Sequence, residues 1–121
     1  DVLSWNQIHQ HIGAALGVSE DQLQEQTLYI PTDLLVRFDA EAFEGPLLGD
    51  KTNAGVFDNS KLRSLVPDFA PRYRFEDAIH ESIAWFRADE SRQTIDTEAD
   101  ALWDRVTERF SRGVAAMFDE S

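Results

Sequence analysis

The 121 residues contain no cysteine, which excludes disulfides and thiolate metal sites outright. No apolar run approaches the roughly 18–20 residues of a membrane-spanning helix. The opening Asp1-Val2-Leu3 has neither Met nor a basic n-region, so it is not a signal peptide. The chain reads as a fragment or a processed piece. Positive charge is scarce: 11 Lys+Arg stand against 23 Asp+Glu, for a formal net charge of -12. This argues against a general nucleic-acid binder, because most of the surface repels phosphate. It argues equally against an anionic membrane surface as a partner. The six glycines, at 13, 17, 45, 49, 55 and 113, form no GxGxxG phosphate loop. No GxSxG nucleophile elbow is present either.

Apolar residues make up 42% of the chain and aromatics 11%, too much for an acidic disordered tail. The length suits one ordinary domain, able to bury roughly two-thirds of its unfolded surface. No internal repeat, low-complexity segment or domain linker interrupts it.

Ser4, with Gln7 three residues on, reads as a capping box. Behind it Trp5, Ile8, Ile12, Ala15 and Leu16 form one apolar stripe that Gly17 terminates. Ser19 opens a further short turn. Thr27-Leu28-Tyr29-Ile30 is β-branched and aromatic and stops at Pro31, which predicts a short strand. Thr32-Asp33 predicts an N-cap for a short helix through Phe38. Short helical pieces and turns are expected from Asp39 to Asn53, and a second strand at Gly55-Val56-Phe57. Asp58-Asn59-Ser60 leads into a helix that Pro67 closes. Two long helices follow. One runs from Arg74 to Ala88 on Phe75, Ala78, Ile79, Ile83 and Phe86, with Trp85 beside the stripe. The other is capped by Thr97, runs on Ala99, Leu102, Trp103, Val106 and Phe110, and ends at Gly113. The expected class is α/β (α+β), mostly helical with two or three short strands that form the edge of a larger sheet.

Among polar residues, His9 and His11 lie two apart on a helix, so they point to roughly opposite sides and do not share a metal. With 23 acids, proximity of carboxylates carries no signal. Asp89 to Asp100 holds five acids and one Arg and reads as solvated helix ends. The distribution of charge is more informative. Lys51 to Arg74 holds five bases (Lys51, Lys61, Arg63, Arg72, Arg74) and two acids, a net +3 that leaves -15 elsewhere. Such an island suits an anion such as a phosphate, which Arg grips through two parallel hydrogen bonds and Lys attracts as a point charge. Asn59-Ser60-Lys61 at a helix start adds free backbone N–H groups. The alternative is that these bases only pair with neighbouring acids. Phe57 and Tyr73 stand beside the island as candidates to stack on a base, although core packing is the commoner role of large aromatics, including Trp85, Trp103, Phe86 and Phe110.

Several phrases together resemble the C-terminal region of the NAD-dependent epimerase/dehydratase family, the extended short-chain dehydrogenase/reductases. They are Leu3-Ser4-Trp5-Asn6-Gln7-Ile8, Ile30-Pro31-Thr32-Asp33, Leu47-Leu48-Gly49-Asp50-Lys51, Phe57-Asp58-Asn59-Ser60-Lys61-Leu62-Arg63, Leu65-Val66-Pro67-Asp68-Phe69, Phe75-Glu76-Asp77-Ala78-Ile79 and Ala84-Trp85-Phe86. The match covers about Leu3 to Phe110. The resemblance implies a single substrate-binding domain over 1–121, or a fragment of one, belonging with an N-terminal Rossmann domain that is absent here. Tyr29 is followed four on by Asp33 and Tyr73 by Asp77, so the family's Tyr-x-x-x-Lys pair is absent as well. No catalytic, metal or cofactor-binding residue is therefore assigned, and NAD or NADP is implied only for the full-length enzyme.

The resemblance further implies a phosphate-bearing substrate such as a nucleotide-sugar. Asn59, Ser60, Lys61, Arg63, Arg72 and Arg74 are the candidate substrate contacts, in a cytoplasmic location. A domain cut from its sheet exposes apolar surface, so a homodimer is expected. The rival expectation is a small acidic protein-interaction module without enzymatic activity.

Overall fold

Ser4 starts the first helix through two reciprocal hydrogen bonds. Its hydroxyl accepts from the Gln7 amide at 3.3 Å, and the Gln7 side-chain oxygen accepts from the Ser4 amide at 2.8 Å. In the computed structural model, which describes residues 1–119, this helix, α1, spans Trp5–Leu16. Gly17 ends it in the left-handed region at φ 83°, where a side chain would be strained. Ser19 and Gln22 repeat the capping box for α2, Glu20–Gln26. Removing either cap by Ser4→Ala or Ser19→Ala should cost about 1 kcal/mol in urea unfolding. The helices meet where Gly13 is buried against Leu23, whose methyl lies 2.8 Å from the position a Cβ would take.

The chain divides into two units, each built from two separate stretches. One holds Asp1–Thr27 and Val56–Thr94. It contains α1 and α2, then α5 (Ser60–Leu65), α6 (Phe75–Arg87) and a 3-10 turn at Glu90–Arg92. In it α1 packs beside α6. The Asp1 carboxylate accepts from the Phe75 amide at 3.0 Å at their starts, and Arg87 donates to the Leu16 carbonyl at 3.4 Å at their ends. His11 and Phe75 meet edge to face between these bonds. Gly13 is the only buried residue of this unit.

The second unit holds Leu28–Gly55 and the stretch from Ile95 onward. It comprises α3 (Thr32–Phe38), α4 (Ala40–Phe43), a π-helix at Glu44–Lys51 and the 20-residue α7 (Thr97–Ala116). Leu35, Phe43 and Val106 are its buried core, flanked by Ile30, Phe38, Leu47 and Leu102. Phe43 stands edge-on to Trp103, with centroids 5.3 Å apart, and the Arg109 guanidinium lies over Phe38. Asp39 caps α4 through the Ala42 amide, and Asp96 caps α7 through the amides of Glu98 and Ala99.

The architecture corrects the expected class. The chain is 67% helical with no strand among the described residues, so it is all-α and not α/β. Thr27–Ile30 and Gly55–Phe57 are irregular. β-Branched and aromatic composition favours a strand only where a neighbouring strand is there to pair with it. Here Thr27 closes α2, its hydroxyl donating to the Leu23 carbonyl, while Ile30 packs on the core of the second unit.

Boundaries also move. Asp96 rather than Thr97 caps α7, and α3 begins at Thr32 itself, behind Pro31. Gly113 does not stop α7, which continues to Ala116. A helical glycine costs about 1 kcal/mol against alanine, too little to end a helix whose following residues include two alanines. The stretch from Asp39 to Asn53, expected as short helical pieces and turns, forms α4 and then the wider π-helix, with the Thr52 amide reaching five residues back to Leu47. Trp85, Phe86 and Trp103, expected in the core, are exposed, and Phe110 is half-buried. No helix among the described residues is long and apolar enough to cross a membrane.

Candidate anion-binding surface

Asp58 shapes the start of α5. Its carboxylate accepts from the Ser60 amide at 2.9 Å and from the Ser60 hydroxyl. The hydroxyl first and the amide second hold the Asp58 carboxyl below its ordinary value of 3.8. Slight burial opposes this, and the Arg63 charge adds to it. A depressed folded pKa gives a contribution to stability that is present above the unfolded value and fades as pH falls through the folded one. Ser60→Ala should therefore raise the Asp58 titration toward the ordinary range, read from its side-chain carbonyl carbon by NMR.

The same Asp-x-Ser geometry recurs at Asp89 and Ser91. There Asp89 accepts from the Ser91 amide at 2.9 Å and from its hydroxyl at 2.7 Å. That carboxyl is likewise lowered, first by the Ser91 hydroxyl and then by its amide. Asp-x-Ser is thus a local turn device in this chain. Beside α5 it puts a carboxylate where an anion at the helix start would sit. Ser60 is committed to Asp58, and Asn59 occupies the cap position without a side-chain bond. Of the backbone N–H groups expected to be free at this helix start, that of Ser60 is taken by Asp58.

The bases from Lys51 to Arg74 are not one cluster. Lys51 belongs to the second unit and is bonded to the adjacent Asp50 at 2.8 Å. Lys61, Arg63, Arg72 and Arg74 all lie in the first unit. Lys61 and Arg63 project from α5, whereas Arg72 and Arg74 lie on the stretch that enters α6, with Arg74 at its cap. Arg74 stands 3.7 Å from Glu76. Lys61, Arg63 and Arg72 form no ion pair among the described residues, and all are exposed. Pairing with neighbouring acids accounts for Lys51 and Arg74 alone. Phe57 and Tyr73 are 86% and 68% exposed, so neither serves as core and both present a ring face.

The strand, glycine-rich turn and helix with which a doubly wound domain cradles a dinucleotide do not occur among the described residues, which hold no strand. No group of three or more His, Asp and Glu side chains converges for a metal among them.

Sequence spacing missed one aromatic assembly. The Arg92 guanidinium lies 4.0 Å over the Trp85 ring and donates to the Trp85 carbonyl at 2.6 Å, while Asp89 stands 3.7 Å away. The contact crosses the end of α6, where helical periodicity no longer relates two positions. A Trp seven residues before an Arg was its only trace.

No family model, curated protein or solved structure matches the chain.

Proposed function

We propose that the chain is the substrate-binding, C-terminal part of an NAD(P)-dependent nucleotide-sugar epimerase/dehydratase-like oxidoreductase and is not catalytic alone. The observation that carries this reading is the set of exposed bases on either side of the Leu65–Phe69 phrase. Lys61, Arg63 and Arg72 form no ion pair among the described residues, Arg63 acting on Asp58 only as a nearby charge, and the ring of Tyr73 stands next to Arg72 in the chain. A diphosphate offers what these side chains lack, since guanidinium donates two parallel hydrogen bonds to phosphate oxygens. The order and spacing of the family-like phrases support the same reading. The absence of Tyr-x-x-x-Lys agrees with a chain that leaves the chemistry to a dinucleotide-binding partner domain.

The rival reading, an acidic interaction module, draws on uncovered apolar side chains such as Trp5 and Leu65. The two differ in solution. With UDP-glucose added to the labelled chain, the substrate-binding reading predicts amide shifts confined to Asn59–Arg63 and Arg72–Arg74. The module predicts none. Tight NAD binding, typical of a dedicated dinucleotide site, would refute the substrate-binding reading.

A further inference from the structure

A cleft of about 260 Å³ opens between α1 and α2. Ala14, Val18 and Leu23 form its apolar lining, and Gln10, His11 and Glu20 its polar lining. The close approach of the two helices shapes it. Gly13 has no Cβ, so Leu23 seats against the α1 backbone. The Val18 amide donates to the Gly13 carbonyl at 2.9 Å where the chain turns from α1 toward α2. The His11 ring is packed edge to face on Phe75 of α6. Of the two acids in the first turn of α2, Glu20 lines the cleft and Asp21 does not.

The polar lining has one sign. No Lys or Arg lines the cleft, and neither Glu20 nor His11 forms an ion pair among the described residues. A carboxylate oxygen, an imidazole nitrogen and an amide oxygen therefore offer three acceptors around one opening. A primary ammonium carries three N–H donors and one positive charge. Glu20 supplies the counter-charge, and the chain's net charge of -12 draws cations toward it. An anion meets no base there.

The apolar side of the cleft suits a carbon chain behind such a head. The volume falls just below the range of about 300–1,000 Å³ that takes a drug-sized molecule, so the ligand is small. We propose that this cleft is a binding site for a short aliphatic primary amine. Its ammonium is held by Glu20, His11 and Gln10, and its alkyl chain lies on Ala14, Val18 and Leu23. The site shares no residue with the anion-binding surface and does not depend on it.

Titration of n-butylammonium into the whole labelled chain tests this. Amide shifts should concentrate at residues 10–23 and saturate with a Kd in the millimolar range. n-Butanol lacks the charge and n-butyltrimethylammonium lacks the donors, so each should bind at least about tenfold more weakly. Glu20→Gln should weaken n-butylammonium binding by a similar factor. Ala14→Leu, at an exposed helical position, should fill the cleft and do the same with far-UV helicity kept, because leucine is a good helix former. No saturable shift at tens of millimolar, shifts outside these residues, either control ligand binding as tightly, or either variant binding like the wild type would overturn the proposal.

Discussion

Phe43→Ala should lower the stability of the second unit by about 3–5 kcal/mol, the usual loss for a buried Phe truncated to Ala. Most single domains have only about 5–15 kcal/mol in total. The effect is large because the core is small: Leu35, Phe43 and Val106 are its buried side chains. Phe43 joins the two stretches of that unit, touching the α3–α4 side of the core and meeting the Trp103 ring edge-on at 5.3 Å. Its removal takes away transfer energy and the aromatic contact together. Trp103 emission should shift to the red at a lower denaturant concentration than in the wild type. Trp5 and Trp85 report on the other unit, so Trp→Phe changes there isolate the signal. A Phe43→Ala chain that unfolds within about 1 kcal/mol of the wild type, the range of minor core changes, would show that this core does not hold α7.

The second large effect concerns binding. Reversing two charges, Arg63→Glu with Arg72→Glu, should weaken UDP-glucose binding at least about tenfold for each position, since one charge-assisted hydrogen bond to phosphate is worth about 1.5–3 kcal/mol. The two arginines lie on different stretches of one unit, one on α5 and one before α6. If both serve one diphosphate, the double variant should lose more than either single change, and the loss should shrink as salt rises and screens the exposed charges. Stability should barely change, because both side chains are exposed and neither forms an ion pair among the described residues. Binding that survives the double reversal would remove these residues from the site.

What the sequence revealed followed from short-range physics. Ser4 with Gln7, and Gly17 after the stripe, marked both ends of α1 because caps act within one turn. The stripes of α6 and α7 were legible for the same reason. All but one of the failures were non-local. Thr27–Ile30 and Gly55–Phe57 had strand composition, but whether a strand forms depends on a partner elsewhere in the chain. The basic run from Lys51 to Arg74 was contiguous in sequence, yet its first member folds into the other unit and bonds to Asp50. One miss was local: the helix start at Ser60 was expected to offer its backbone N–H groups to an anion, and Asp58, two residues before, already accepts from the Ser60 amide and hydroxyl. Reading Asp58-Asn59-Ser60 beside Asp89-Glu90-Ser91 would have exposed that device, since the pattern recurs where no basic cluster stands.

The most direct measurement is an amide-shift titration of the wild-type chain with UDP-glucose at low salt, run in parallel with glucose alone. The account predicts shifts at Asn59–Arg63 and Arg72–Arg74 that need the diphosphate and vanish in the Arg63→Glu, Arg72→Glu variant. An unchanged spectrum at millimolar UDP-glucose, or shifts located elsewhere, would contradict it.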